Sequence, residues 1–300
     1  MNRVSAGVAI GGSLILAACG RVSGTSLAPT AMPSVHTASA LVVTHPIPPL
    51  DLEVAGLTPV ADLVTPFQIS STDNGRSIML LGAYSDTART VFVFRETPDM
   101  GLPNVRVSDE QGLVSASGSA GPIHAPGFRG DYYVTLDEGL HPGPDGVAHL
   151  TLDIARLQIW TPAGGIVEGN WTFTVAVNVQ PGQIVVAPNP FWLGRWKVTV
   201  ETLEITPDVV HLQALVNGVS NVDLEGPGHG PFVELVDSAG NPVRRLVGGA
   251  GITVPKGQLN PINYQNSRSY NQWLRPAAGT YRLVFQGKGG RHEIAIVIGP

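Results

Sequence analysis

The stretch Trp171-Thr172-Phe173-Thr174-Val175-Ala176-Val177 decides the fold class. Trp171, Phe173, Val175 and Val177 occupy every second position, and small or polar residues fill the positions between them. A period of two places the large apolar side chains on one face of an extended strand and the others on the opposite face. We therefore predict a β-strand that is buried on one face only.

Short runs of the same kind follow one another from about residue 50 to the end of the chain. They are rich in β-branched or aromatic residues and are separated by Gly, Pro, Asn and Asp. The other predicted strands are Ser77–Tyr84, Thr90–Arg95, Asn104–Val107, Tyr132–Leu136, His149–Ile159, Arg195–Ile205, Val209–Val216, Phe232–Val236, Val243–Val247, Tyr281–Gln286 and His292–Ile298. Because no window has the apolar spacing of an ordinary amphipathic helix, we predict an all-β protein.

The number of strands predicts the architecture. About seven short strands in roughly 120 residues, with turns every 8–12 residues or so, is typical of immunoglobulin-like β-sandwiches. We predict two tandem immunoglobulin-like β-sandwich domains, the first at residues 50–181 and the second at residues 182–300.

Three similar stretches, which we call landmarks, recur in the same order in the two halves. In the first, Ile69, Asp73 and Ile78–Leu81 parallel Ile205, Asp208 and Val210–Gln213. Val105–Gly112 and Val233–Gly240 share the pattern V-x-[VL]-x-D-x-x-G. In this pattern a strand runs into a turn where Asp bonds to the backbone and Gly allows a positive φ. Gly169–Val175 also parallels Gly279–Phe285. We interpret the halves as copies of one fold; the alternative is that unrelated sandwiches share such turns.

The N-terminus has the layout of a secretory signal at residues 1–18. Arg3 supplies one positive charge, and an uncharged run of apolar and small residues continues to Ala18. The run is shorter than the roughly 20 residues that a helix needs to cross a bilayer. It leads directly to Cys19, which is the only cysteine in the chain. The alternative is an ordinary signal peptide followed by an incidental cysteine.

Leu16-Ala17-Ala18-Cys19 resembles the lipobox of bacterial lipoproteins. The resemblance implies that the Cys19 thiol receives a diacylglycerol and that cleavage occurs just before it. A membrane is then one partner of the protein. The expected location is the extracytoplasmic face of the bacterial cell membrane or outer membrane, where the protein is lipid-anchored. Residues 19–49 are rich in Ser, Thr, Ala and Pro, with Arg21 as their only charge, and are predicted to form a flexible tether.

A second resemblance concerns the folded part. The strand layout of about residues 60–300, with Gly-x-Trp-x-Phe-x-Val at Gly169–Val175, resembles the extracytoplasmic β-domains of bacterial anti-sigma-factor-like membrane proteins. It implies an envelope sensor or an assembly accessory factor. That family has a cytoplasmic helical segment and a membrane span before these domains, where this chain has the lipobox-like stretch. The resemblance therefore covers the architecture and not the regulatory role.

Composition and motifs argue against several function classes. The formal net charge is −5 and lysine occurs only at Lys197, Lys256 and Lys288, so the clustered cations that nucleic acid requires are missing. The chain contains no G-x-S-x-G elbow and no phosphate-binding loop. We see no pair of carboxylates spaced for glycoside cleavage, so a carbohydrate-active enzyme ranks last. No catalytic residue and no cofactor is predicted.

Two sets of residues are candidate metal ligands. One is an acidic loop at 131–145, formed by Asp131, Asp137, Glu138 and Asp145. Ca²⁺ prefers such oxygens, but their spacing does not match an EF-hand, so calcium binding stays open. The other set is His124, His141 and His149, which we expect to be solvated loop residues. We assign no metal.

The predicted recognition segment is Pro255–Pro276. Its candidate binding residues are Tyr264, Arg268, Tyr270, Trp273 and Arg275. Aromatic residues and Arg among Asn, Gln and Ser are typical of loop-borne recognition surfaces. The alternative is a long crossover that packs its aromatics on the end of the sandwich. We also expect Phe191, Trp192 and Trp196 at the junction between the domains.

Together these observations predict a non-catalytic binding or structural module of the cell envelope. A lipid on Cys19 would hold it on a membrane, and its further partner would be an envelope protein or polymer.

Overall fold

The computed structural model describes residues 47–97, 101–115, 119–122, 130–136, 139–159, 165–218, 232–252, 266–287 and 290–300. The signal peptide, Cys19 and nearly all of the predicted tether lie outside these residues. Within them, helix is limited to α1 (Pro49–Val54) and a 3-10 helix (Thr58–Leu63), and the other regular elements are strands. No described helix is long and apolar enough to span a bilayer. The all-β prediction is confirmed.

The first sandwich is formed by the strands between residues 65 and 180. They are β1 (Thr65–Asp73), β2 (Arg76–Asp86), β3 (Thr90–Thr97), β4 (Gly101–Asp109), β5 (Gly112–Ser115), β6 (Ser119–Pro122), β7 (Asp131–Leu136), β8 (Val147–Ile159) and β9 (Ile166–Gln180). One sheet has the order β1-β2-β3-β7-β6 and the other the order β5-β4-β8-β9. A short parallel contact between the ends of β2 and β9 joins the two sheets.

The second sandwich is formed by the strands between residues 183 and 298. They are β10 (Gln183–Ile184), β11 (Phe191–Leu193), β12 (Trp196–Ile205), β13 (Val209–Asn217), β14 (Phe232–Val236), β15 (Arg245–Ile252), β16 (Asn266–Leu274), β17 (Gly279–Gly287) and β18 (Gly290–Ile298). One sheet has the order β12-β13-β16-β15, with β10 and β11 both paired to the outer edge of β12. The other has the order β14-β17-β18.

The strand order is that of the immunoglobulin fold in both sandwiches. A constant-type immunoglobulin domain has strands A-B-E-D in one sheet and C-F-G in the other. With β2 as strand A, the first sandwich gives β2-β3-β7-β6 and β4-β8-β9. With β12 as strand A, the second gives β12-β13-β16-β15 and β14-β17-β18. The immunoglobulin-like prediction is confirmed, and the two sandwiches correspond strand for strand.

This correspondence supports one of the three sequence landmarks. It pairs β4 with β14, and the turns after these strands are alike. Asp109 Oδ1 accepts hydrogen bonds from the N–H groups of Gln111 and Gly112, at 2.8 and 3.1 Å. Asp237 Oδ1 accepts one from the N–H of Asn241 at 2.8 Å. Gly112 and Gly240, at the equivalent position, have φ values of 124° and 90°.

The other two landmarks are wrong. Ile78–Leu81 belongs to β2, which is equivalent to β12, whereas Val210–Gln213 belongs to β13, which is equivalent to β3. Gly169–Val175 belongs to β9, and the strand equivalent to β9 is β18. Gly279–Phe285 belongs to β17, which is equivalent to β8. Alternating strands of one sheet resemble one another in sequence, so the pattern matched neighbouring strands and not equivalent ones.

Each sandwich has its own core between its two sheets. Trp171, Phe173, Val175 and Val177 lie in the first core, while the residues between them are exposed, as the alternation predicts. The second core contains Trp196, Trp273 and Phe285 among others. The expectation that Phe191, Trp192 and Trp196 form the junction is wrong. Phe191 and Trp196 belong to the second core, and Trp192 is 66% exposed, because β11 pairs with β12 and alternates in the same way.

The segment of residues 47–64 covers the outer face of β2 and β3. Ile47, Leu57 and Val60 form a third apolar cluster with side chains of these strands, which are Leu81, Tyr84, Val91 and Val93. A β-bulge between Leu80 and Gly82 changes which face of the sheet the following side chains of β2 point to. Gly82 leaves room for Ile47, whose Cδ1 atom would collide with a Cβ there. The described fold thus begins at Ile47, within the last residues of the segment expected to be tether.

Candidate functional site

The predicted recognition segment contains a strand. Asn266–Leu274 is β16, which lies between β13 and β15 inside a sheet, so the prediction of a loop is wrong for these residues. Trp273 is 1% exposed and belongs to the core. The sequence pattern did not predict this strand, because Ser269 and Asn271 lie opposite core residues of β13 and interrupt the apolar alternation.

The candidate binding residues do not form one surface. Tyr270 lies on the opposite face of β16 from Trp273, and its hydroxyl accepts a hydrogen bond from Gln272. Its ring centroid lies 4.8 Å from that of His211. Arg275 donates to the carbonyl oxygens of residues 299 and 300 at 3.0 and 3.1 Å, and so holds the C-terminus. Tyr264 and the side chain of Arg268 lie outside the described residues, and their role stays a prediction.

The structure describes four of the candidate metal ligands. Asp131 is the first residue of β7 and forms an ion pair with Arg95, with Nε–Oδ1 and Nη2–Oδ2 distances of 2.6 and 2.9 Å. Asp145 instead accepts a hydrogen bond from the N–H of Val147. His141 is 70% exposed, and His149 points outward from β8. Asp137, Glu138 and His124 lie outside the described residues. Within the described part of the chain, no three His, Cys, Asp or Glu side chains are grouped to hold a metal.

Ionisable groups do converge where two equivalent hairpin turns meet. The β2–β3 turn closes with a hydrogen bond from the N–H of Asp86 to the carbonyl of Arg89, and the β12–β13 turn with one from Thr206 to Val209, both at 2.9 Å. Asp86 Oδ1 accepts from the N–H groups of Ala88 and Arg89 at 2.8 and 2.7 Å. In the second turn the Thr206 hydroxyl accepts from two backbone N–H groups in the same way, at 3.3 and 3.0 Å. Such side-chain contacts stabilise tight turns.

The two turns are joined by a buried ion pair. Arg89 Nη1 donates to Asp208 Oδ2 at 2.5 Å, and the two side chains are 3% and 0% exposed. Arg89 Nη2 donates to the carbonyl of Ala55 at 2.7 Å, which connects the pair to the end of α1. Tyr84 donates to Asp86 Oδ2 at 2.9 Å. We call Tyr84, Asp86, Arg89, Thr206 and Asp208 the junction cluster.

Two further hydrogen bonds link the sandwiches beside the junction cluster. Gln272 Nε2 donates to the carbonyl of Ala88 at 2.9 Å, and the Thr87 hydroxyl donates to Glu204. Gln272 and Glu204 belong to the second sandwich, whereas Thr87 and Ala88 belong to the first. Because these bonds link the two sandwiches on both sides of the ion pair, the contact extends beyond a single pair of residues.

Burial dominates the electrostatics of this region. It raises the pKa of Asp208 to about 6, although Arg89 acts in the opposite direction. Burial likewise raises the pKa of Asp86, against the hydrogen bonds from Thr206, Tyr84 and the turn backbone. It lowers the pKa of the nearby His211 to about 4. Burial therefore disfavours the charged forms of Asp208, Asp86 and His211.

The junction cluster is suited to holding the sandwiches together and not to catalysis. Its charged side chains are sealed from solvent, so a substrate has no access to them. Sequence reasoning missed the cluster because Arg89 and Asp208 lie 119 residues apart and belong to turns without a distinctive motif.

Comparison with known proteins found similar solved structures at low sequence identity. No protein-family model matches the chain, and no curated protein sequence matches it. A conserved domain protein from Bacillus anthracis is 14% identical, with 79% of this chain and 90% of that chain covered and a TM-score of 0.48. Bovine butyrophilin is 10% identical, with 72% and 93% covered and a TM-score of 0.22. The immunoglobulin-like assignment rests on the strand order and not on these similarities.

Proposed function

We propose that this protein is an extracytoplasmic lipoprotein whose two sandwiches act as one non-catalytic binding or structural module of the cell envelope. The buried Arg89–Asp208 ion pair carries the proposal. It is buried between the sandwiches and joins a turn of the first to a turn of the second. A module of this kind presents its surfaces in a constant arrangement.

The sequence supplies the means of attachment. A diacylglycerol on Cys19 would hold the chain on a bilayer, because two acyl chains bind stably where one binds only marginally. The segment from Cys19 to the start of α1 would then act as a spacer with a reach of about 30 Å if it behaves as a flexible coil. The folded part would stand clear of the lipid headgroups.

Metabolic labelling tests the attachment. The full chain and its Cys19→Ser variant are expressed in a bacterial host with radiolabelled palmitate. We expect label in the parent chain, which sediments with membranes, and neither label nor membrane association in the variant. Equal labelling of the two chains, or a parent chain that is soluble and unlabelled, would contradict the proposal.

A further inference from the structure

A cavity of 750 Å³ lies at one end of the β5-β4-β8-β9 sheet of the first sandwich. Its lining residues come from the start of β4, the end of β8 and the start of β9. They are Leu102, Pro103, Asn104, Arg156, Gln158, Ile159, Gly165 and Ile166. The volume falls in the range of roughly 300–1,000 Å³ that is usual for ligand sites.

Two β-bulges coincide at the edge of this cavity. The pairing of β4 with β8 shifts register between Pro103 and Val105. The pairing of β8 with β9 shifts between Ile154 and Arg156. Val105 and Ile154 are opposite each other, so both irregularities occur at the same level of the sheet. Bulges bend a strand, increase its twist and often lie beside functional sites.

The second sandwich provides an internal comparison. Its equivalent strands β14, β17 and β18 pair without any shift of register. They are also shorter: β17 and β18 have 9 residues each, whereas β8 and β9 have 13 and 15. The bent extension that forms the cavity therefore belongs to the first sandwich and is not a general feature of this fold.

The side chains around the cavity include aliphatic, amide and guanidinium groups. Leu102, Gln158 and Ile166 lie opposite one another across the three strands. Ile166 is 60% exposed. Arg156 is exposed as well, and it makes no ion pair with any described residue, including Glu168, which lies opposite it on β9. The described lining residues supply one guanidinium group, two amides and several aliphatic groups, and none of these residues is acidic or aromatic.

From this lining we propose that the cavity binds an extended peptide in which a carboxylate lies next to an aliphatic side chain. The guanidinium of Arg156 matches a carboxylate, which it can bind through two parallel hydrogen bonds. The amides of Asn104 and Gln158 both donate and accept, as peptide groups do. Leu102 and Ile166 offer an apolar wall for the aliphatic side chain. The inference rests on the proposed binding role and names the chemistry of the partner.

The test is selection from a library of random heptapeptides displayed on phage, with the full chain immobilised in detergent. We expect enrichment of peptides in which Asp or Glu adjoins an aliphatic residue. An Arg156→Gln variant should bind a selected peptide about 10- to 100-fold more weakly, since hydrogen bonds to charged groups are the strong ones. Arg106→Gln is the matched control, because Arg106 is exposed on the same face but does not line the cavity. It should bind like the parent chain.

Three outcomes would overturn the inference. These are the absence of any enriched acidic motif, equal peptide binding by the parent chain and Arg156→Gln, and Arg156-dependent binding of uronic-acid oligosaccharides on a glycan array without peptide binding. Each outcome would leave the palmitate labelling of Cys19 as it is, so failure of this inference is distinct from failure of the proposed attachment.

Discussion

Arg89 of the first sandwich donates a hydrogen bond to Asp208 of the second sandwich at 2.5 Å, with both side chains buried. Removing two charges from water costs several kcal/mol for each ion, so such a pair persists only where its geometry and further hydrogen bonds compensate. Here the second nitrogen of the guanidinium bonds to Ala55, and the turn that carries Arg89 is held by Asp86. The pair is therefore part of a formed interface.

Replacing Arg89 with Met should lower the free energy of unfolding by about 3–5 kcal/mol, because Asp208 is left as an uncompensated buried carboxylate. Urea unfolding of the parent chain and the variant measures the change. The matched control is the double variant Arg89→Met/Asp208→Leu, which removes both charges. It should recover most of the loss, since apolar replacement of a buried pair is often neutral. A single variant as stable as the parent would contradict the junction as described.

His211 should make the protein sensitive to acid. Burial lowers its pKa to about 4, and the ordinary value is 6.5. Between pH 6.5 and about pH 4, His211 is therefore mostly protonated in the unfolded chain and mostly neutral in the folded chain. The stability contributed by neutral His211 is fully present above pH 6.5 and falls by about 3 kcal/mol as the pH drops to 4. Glu204, Tyr270 and Gln272 face His211 from the neighbouring strands.

Asp208 acts in the opposite direction, so the test compares two chains. Its pKa is raised to about 6, and its contribution to stability therefore increases as the pH falls towards 3.8. We expect the difference in unfolding free energy between the parent chain and His211→Leu to depend on pH between 6.5 and 4, with the parent losing more. Urea unfolding at a series of pH values provides the measurement. A pH-independent difference would show that His211 is not held neutral.

Leu57 should contribute strongly to stability although it precedes the first strand. It is 0% exposed in the apolar cluster that covers β2 and β3. Leu57→Ala should therefore cost about 2–5 kcal/mol, as expected for a large-to-small change in a core. Val186→Ala is the control, because Val186 is 91% exposed. Equal thermal midpoints for the two variants would mean that residues 47–64 do not pack as described.

Gly182 lies where the junction leaves no space for a side chain. A Cβ there would overlap the Glu204 carboxylate and the Thr87 hydroxyl, which bond to each other across the interface. Gly182→Ala should destabilise the protein by about 1–3 kcal/mol, the usual effect of overpacking. Gly299→Ala adds the same methyl group where nothing lies within 4 Å, and should leave stability unchanged. A thermal melt of both variants distinguishes these results.

Local patterns in the sequence predicted the strands that have a regular pattern of apolar residues. Trp171–Val177 alternates because β9 has one face in the core, and Phe232–Val236 matches β14 residue for residue. The pattern failed at β16, where polar residues occupy inward positions, and at α1, which is too short to show a helical period. The junction itself has no local signature, since it depends on two turns that are distant in sequence and belong to different sandwiches.

The most direct test of the account is the distance between the two sandwiches in solution. Spin labels are placed on exposed positions of β9 and β18 through Thr174→Cys and Ala295→Cys, in the full chain with Cys19→Ser so that no native thiol remains. Pulsed electron paramagnetic resonance then measures the distribution of distances between the labels. If the buried ion pair joins the sandwiches, the distribution is single and narrow, and Arg89→Met broadens it. A broad distribution in the chain that keeps both Arg89 and Asp208 would contradict the account.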